Sequence, residues 1–236
     1  MARQPGGEPL RIVRNLAFYA AFYGASVFFV LGTLLALWLL PGTMFREVPN
    51  AWSRFHRWCV VNLLGIEVRV EGAPIEGQAL DELKHESYFD AIDLATLLKD
   101  PVPFGKEELF RIPGWGRAAR AYGGIPVYRD AGAAGLRKML AEARTHLASG
   151  RNLAILPEGT RVPHGTRPPL RAGFAGLYKM LGLPVVPVAI DSGPAYHKLW
   201  KGPGTITVRF MEPIPPGLPR EEIEARVHAA INALNA

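Results

Sequence analysis

Leu153-Ala154-Ile155-Leu156-Pro157-Glu158-Gly159-Thr160-Arg161 joins a four-residue apolar run to a charged loop that opens on proline. A short apolar run of this kind reads as a buried strand. In open α/β sheets, the loop beyond a strand's C-terminal end is where ligands tend to bind. Within that loop Gly159 lets a backbone approach closely, and Arg161 can grip a phosphate with two parallel hydrogen bonds. Taken alone, the same loop also reads as a tight turn carrying a surface ion pair.

Outward from this stretch the same grammar repeats. Short apolar runs at Ile66–Val70, Val102–Phe104, Ile125–Tyr128, Val185–Ile190 and Thr205–Phe210 predict further strands. Helices are predicted over Ala91–Leu98, Trp115–Tyr122, Gly135–Ala148, Phe174–Leu181 and Glu221–Leu234. Leu136, Leu140, Ala143 and Leu147 recur at helical spacing, with Arg137, Lys138 and Arg144 outside them, which marks core packing rather than chemistry. Alternating strands and helices imply an α/β domain with a largely buried sheet, here residues 66–236. Gln78–Lys84 is harder to place. The pattern wants a strand there, but Asp81 and Glu82 suit an edge strand or a loop better. The proline-rich piece Pro213–Pro219 reads as a linker before the last helix.

Residues 1–65 are of another kind. No charged residue lies between Arg14 and Arg46, and Leu16–Leu40 is almost wholly apolar until Pro41-Gly42. As a helix, about 25 residues would run roughly 37 Å, enough to cross a hydrocarbon core of about 30 Å. The stretch is too long for a secretory signal, and Pro41-Gly42-Thr43 is a poor cleavage site, so it is read as a retained membrane segment. A second helix over Ala51–Leu64 would gather Trp52, Phe55, Cys59 and Leu63 on one face, with Arg54 and Arg57 towards the other, as suits a headgroup zone. The two helices could form a hairpin entering one leaflet, or the first could cross while the second lies flat. Arginines flank both ends, so loop charge gives no orientation.

The 236 residues are 49% hydrophobic and 20% charged, enough for one sizeable domain plus an appendage. A net charge of +6 suits an anionic partner such as phospholipid headgroups. Nothing beyond that charge suggests nucleic acid. The single cysteine, Cys59, excludes an internal disulfide and a thiolate metal cluster.

The strongest cluster of reactive groups is Lys84-His85-Glu86-Ser87-Tyr88-Phe89-Asp90. Histidine can take a proton near neutral pH, and a carboxylate can fix its tautomer. On a regular helix, positions five apart point about 140° from each other, so His85 and Asp90 meet only if the chain turns between them. A helix N-terminus would supply that turn, capped by Ser87 or Asp90. Lys106 and Arg129 each follow a predicted strand, and Arg171 precedes Ala172-Gly173, so these cations could share a rim with Arg161. Any one of them is more often a solvated surface charge. His56, His146, His164, His197 and His228 have no companions at metal-ligand spacing, so no metal site is expected. No phosphate-binding G-x-x-x-x-G-K loop, dinucleotide fingerprint or G-x-S-x-G elbow occurs.

In order along the chain these clusters resemble the glycerolipid acyltransferase family, which includes the bacterial 1-acylglycerol-3-phosphate acyltransferases. His85 to Asp90 matches its H-x-x-x-x-D motif, Gly123 or Gly124 through Arg129 its G-x-I-x-x-x-R stretch, and Pro157 to Arg161 its P-E-G-T-R motif. Val185-Val186-Pro187-Val188 matches the fourth, and Lys106-Glu107-Glu108-Leu109 is similar to a K-x-E-L segment. The likeness spans Ile66 to Phe210, and departs where Glu86 replaces a common glutamine and Asp81-Glu82 an apolar strand.

The resemblance implies an acyltransferase-type sheet flanked by helices behind a two-helix membrane hairpin. It implies acyl transfer from acyl carrier protein (ACP) or coenzyme A (CoA) thioester to the free hydroxyl of lysophosphatidate, with no cofactor or metal. His85 would act as base and Asp90 would orient it. Glu158, Gly159, Thr160 and Arg161, with Lys106, Arg129 and Arg171, would bind substrate. Of these, Glu158 would position Arg161 or the acceptor. Backbone amides near Gly159 or at the helix start after His85 could stabilise an oxyanion. The expected partners are the bilayer, a lysophospholipid acceptor and the thioester donor. The expected place is the bacterial inner membrane, with the domain on the cytoplasmic side. Rival readings are another acceptor (a lyso-ornithine lipid, glycerol-3-phosphate or another lysophospholipid), an esterase using water, and a non-catalytic membrane binder.

Overall fold

Seven short strands in the order β1-β7-β6-β2-β5-β3-β4 make one twisted sheet in the computed structural model, which describes residues 7–128, 132–171 and 173–235. The strands are β1 (Ile66–Glu71), β2 (Leu80–Leu83), β3 (Val102–Lys106), β4 (Ile125–Val127), β5 (Leu153–Ile155), β6 (Val185–Ile190) and β7 (Gly204–Phe210). All neighbours run parallel except β6 and β7, so β2, β5, β3 and β4 direct their C-terminal ends to one rim. All six residues of β6 are buried, as expected of a strand with both faces covered.

Both faces are in fact covered. On one side α6 (Gly132–Ala148), α7 (Gly173–Leu181) and α9 (Arg220–Ile231) pack Leu140, Ala143, Leu177, Val227 and Ile231 against Leu80, Leu153 and Val185. The leucine and alanine stripe of α6 thus faces the core as its spacing predicts. On the other side, Leu83, Ala154, Val188 and Ile206 meet Phe89 of α3 (Tyr88–Ile92) and Tyr196 of α8 (Gly193–Tyr196). α4 (Leu94–Leu97) and α5 (Trp115–Tyr122) complete the domain. The predicted helix Ala91–Leu98 is therefore two short helices that start earlier. The Pro213–Pro219 piece is tied down: Ile214 pairs with Val185, and the Tyr178 hydroxyl donates to the Pro215 carbonyl.

The Gln78–Lys84 segment overturns its sequence reading. Neither edge nor loop, it forms β2 in the middle of the sheet, between β6 and β5, and every residue of Leu80–Leu83 is buried. Period-two alternation puts Leu80 in one core and Leu83 in the other, carrying Glu82 and Asp81 inward with them.

α1 (Gly7–Leu39) is a single 33-residue helix, long and apolar enough to cross a membrane. One face is fixed to the domain: Phe18 and Phe22 lie in the same core as Leu83 and Phe89, and the Asn15 side chain pairs with both backbone groups of Lys201. The opposite face leaves Leu16, Val27, Phe28, Leu31, Leu35 and Trp38 exposed, Trp38 by 83%. α2 (Glu47–Cys59) packs on α1, where the Trp52 ring stacks on Phe22 and its indole N–H donates to Ser26. A single π turn, Val60–Leu64, extends α2 to Gly65, whose φ of +71° ends it and starts β1.

Candidate active site

The turn after β2 does what the spacing of His85 and Asp90 demands. Ser87 is the N-cap of α3, its hydroxyl accepting from the Phe89 amide, and Asp90 occupies the third helical position in a capping box. One oxygen of Asp90 accepts from the Glu86 amide (2.6 Å), the Ser87 amide (2.8 Å) and the His85 ring Nδ1 (3.3 Å). Asp90 is fully buried, whereas the His85 side chain is 14% exposed. With Nδ1–H held by a carboxylate, His85 presents Nε2 as the nitrogen able to take a proton from outside.

A buried lysine holds this turn to the Pro157–Arg161 loop. Lys84, at the end of β2, donates to Glu158 Oε1 at 2.6 Å, to Asn232 Oδ1 at 2.8 Å and to the Thr166 carbonyl at 3.4 Å. The other Glu158 oxygen accepts the His85 amide at 3.0 Å, and the His85 carbonyl accepts from Val162. The Glu158 side chain thus bonds Lys84 and the His85 backbone together. The reason is geometric: its side chain turns into the protein, where Lys84 neutralises it. Arg161 and Thr160 are exposed, and the Arg161 guanidinium lies 3.8 Å from the Tyr88 ring centre, next to the His85–Asp90 turn.

Sequence comparison gives the family. The family profile described as Acyltransferase matches residues 66–191. A 1-acyl-sn-glycerol-3-phosphate acyltransferase of Pseudomonas aeruginosa is 30% identical, over 84% of this chain and 79% of that protein.

This chain belongs to the acyltransferase family.

A lyso-ornithine lipid O-acyltransferase of the same bacterium is 32% identical, over 85% of this chain and 86% of its own length. The crystal structure of the 1-acyl-sn-glycerophosphate acyltransferase PlsC from Thermotoga maritima shares the fold. It has a TM-score of 0.74 and 24% identity, and the match covers 96% of this chain and 98% of that one.

Lys106, Arg171 and Arg129 are the remaining cationic candidates. Lys106 is exposed at the C-terminal end of β3, on the same rim as the loop after β5. Arg171 is exposed and folds back so that its Nε donates to the Glu158 carbonyl at 3.4 Å. Arg129 lies outside the described residues. Three backbone amides of this region are bonded within the protein: those of Glu86 and Ser87 to Asp90, and that of Gly159 to the Leu156 carbonyl at 2.9 Å. Among the described residues, no group of three or more His, Cys, Asp or Glu is placed to hold a metal ion.

Sequence reasoning missed that Lys84, Glu86, His164, His197 and Asn232 are bonded together around the His85 turn. Lys84 and Glu86 flank His85 in the quoted motif, so adjacency was a usable signal. Asn232 lies 148 residues from Lys84, and nothing local announces it.

Proposed function

We propose that this chain transfers an acyl group from acyl-ACP or acyl-CoA to the free hydroxyl of 1-acylglycerol-3-phosphate, yielding phosphatidate, at the cytoplasmic face of a bacterial inner membrane. The observation that carries the reading is the His85–Asp90 pair, oriented at the sheet's C-terminal rim with Arg161 beside it. Residues 66–236 form the catalytic domain, and residues 1–65 the membrane anchor. The anchor reading is supported by the apolar outer face of α1.

In this mechanism His85 Nε2 accepts the proton of the glycerol hydroxyl as its oxygen attacks the thioester carbonyl. Collapse of the tetrahedral adduct breaks the C–S bond, and the proton returns from His85 to the departing thiolate. Asp90 keeps Nδ1 protonated and supports the transient imidazolium. General-base help of this kind is worth about 10² to 10⁴ in rate. Arg161, with Thr160, Lys106 and Arg129, meets the acceptor's phosphate, and Arg171 braces the loop. Between α1, α2 and α5 lies an apolar cavity lined by Phe29, Val30, Trp52, Trp115 and Tyr122.

A second acceptor, a lyso-ornithine lipid, is favoured by the Pseudomonas relative of that name. It carries no phosphate, so one experiment separates the two. Purified protein in detergent is given each lysolipid with each thioester donor, beside His85→Ala and Arg161→Ala. Phosphatidate formation, lost by at least about two orders of magnitude in His85→Ala, supports the reading. Arg161→Ala then raises the KM for lysophosphatidate about tenfold or more and leaves the donor KM in place. Acylation of the ornithine lipid alone would overturn the phosphate assignment. Acyl transfer undiminished in His85→Ala would overturn the base.

A further inference from the structure

Glu86 stands between the proposed base and the helix cap, and each of its polar groups is engaged. Its amide donates to Asp90 at 2.6 Å, and its carbonyl accepts from His197 Nδ1 at 2.8 Å. The carboxylate is fully buried; it accepts from His164 Nδ1 at 3.0 Å and from the Gly193 amide at 2.8 Å. Next to it, the hydroxyls of Ser87 and Ser192 lie 2.7 Å apart. Two segments distant in sequence, one after the Pro157–Arg161 loop and one after β6, are thus fastened to the His85–Asp90 turn through a single side chain. That turn must keep three donors on one oxygen of Asp90, a geometry with little slack.

We infer that Glu86 is a positioning residue for acyl transfer: held by His164, His197 and Gly193, it sets the turn that points His85 Nε2 at the acceptor hydroxyl. It touches no substrate in this role, and acts through its own amide on Asp90. The packing is tight enough to be tested from the far side. Gly193 has ordinary backbone angles, but a Cβ added there would lie 2.8 Å from Glu86 Oε2 and 3.1 Å from His164 Cβ. Gly193→Ala should therefore displace the carboxylate while leaving the identities of Glu86 and the proposed base unchanged.

This inference rests on the acyltransferase reading above, so the experiment has one arm that uses no substrate. In the kinetic arm, kcat and both KM values are measured for the parent, Glu86→Ala, Glu86→Gln, His164→Ala, Gly193→Ala and the Glu86→Ala/His164→Ala double variant. Glu86→Ala is expected to lower kcat at least about tenfold with both KM values within about threefold, since only the base's aim is lost. Glu86→Gln, which still accepts from Gly193, recovers most of that loss. His164→Ala and Gly193→Ala each lower kcat by a smaller factor. The double variant is no worse than Glu86→Ala, because His164 acts through the same carboxylate.

In the second arm, diethyl pyrocarbonate modifies the folded proteins and peptide masses give the rate at His85. Glu86→Ala and Gly193→Ala should change that rate by at least about threefold relative to the parent. The inference is overturned if Glu86→Ala keeps kcat within twofold, if its loss falls on KM, or if the double variant's losses multiply. Should Glu86→Ala not fold, Gly193→Ala and His164→Ala decide alone, and unchanged kcat in both overturns it. Should the parent transfer no acyl group to either lysolipid, the substrate assignment fails. The His85 modification rates then decide this inference, an unchanged rate in both variants overturning it.

Discussion

The end and the middle of one strand treat buried charge in opposite ways. At its C-terminal exit, β2 delivers Lys84 into a socket of three acceptors, and the carboxylates around it, Glu158 and Glu86, are bonded in turn. In its middle, Asp81 and Glu82 are equally buried, but no side-chain oxygen of either finds a partner within the protein. Burial pushes the Asp81 carboxyl up to about 7, and burial with the neighbouring Asp81 holds Glu82 well above the usual range. Burial thus favours the protonated form of both carboxyls. The partnered end shapes the site, while the unpartnered middle is a standing cost to the fold. The contrast shows that proximity to the site does not decide a charge's role; the partners it finds do.

The largest effect comes from breaking the partnered end. Glu158→Ala strips the main acceptor from a fully buried ammonium and from the His85 amide together. Removing one member of a buried pair typically destabilises by about 3–5 kcal/mol. A thermal melt in detergent should show a large fall in Tm, with activity lost in the fraction that remains folded. A Tm unchanged within error would mean that water replaces the carboxylate, and that this end is no better partnered than the middle.

The middle of the strand should respond with the opposite sign. Asp81 has a folded-state pKa raised from 3.8 to about 7. Its contribution is whole below the unfolded value near 4, falls as pH rises because only the unfolded chain gives up its proton, and is gone above about 7. The fall amounts to about 4 kcal/mol for a shift of this size. Asp81→Val removes the titration. Denaturant unfolding of parent and variant from pH 4 to 8 should therefore show the variant gaining on the parent by roughly that amount. A constant difference across the range would show that Asp81 is hydrated or partnered after all.

The same contrast explains what was legible beforehand. Helix α6, strands β5 and β6, and the long α1 announce themselves because apolar residues recur with the right period or in unbroken runs. The His85–Asp90 turn was legible from residue chemistry and its cap. β2 was not, because a strand covered on both faces ordinarily reads as an apolar run, and here half its side chains are carboxylates. Its place in the sheet is set by neighbours far along the chain, Leu153–Ile155 and Val185–Val188, which no local pattern encodes. The partners of Lys84 are hidden for the same reason, lying 74 and 148 residues away.

The smallest expected effect sharpens the comparison most. Asn232→Ala removes one neutral acceptor from Lys84 and leaves both the Glu158 carboxylate and the Thr166 carbonyl in place. Losing a hydrogen bond to a charged group, with the charge still compensated, should cost about 1.5–3 kcal/mol, less than the Glu158→Ala loss. If unfolding measurements give that ranking, neutralisation of the ammonium is what separates the partnered end of β2 from its unpartnered middle. If Asn232→Ala costs as much as Glu158→Ala, the hydrogen-bond count around Lys84 is the deciding quantity instead. The end of α9, where Asn232 sits, would then be as much a support of the His85 turn as the Pro157–Arg161 loop.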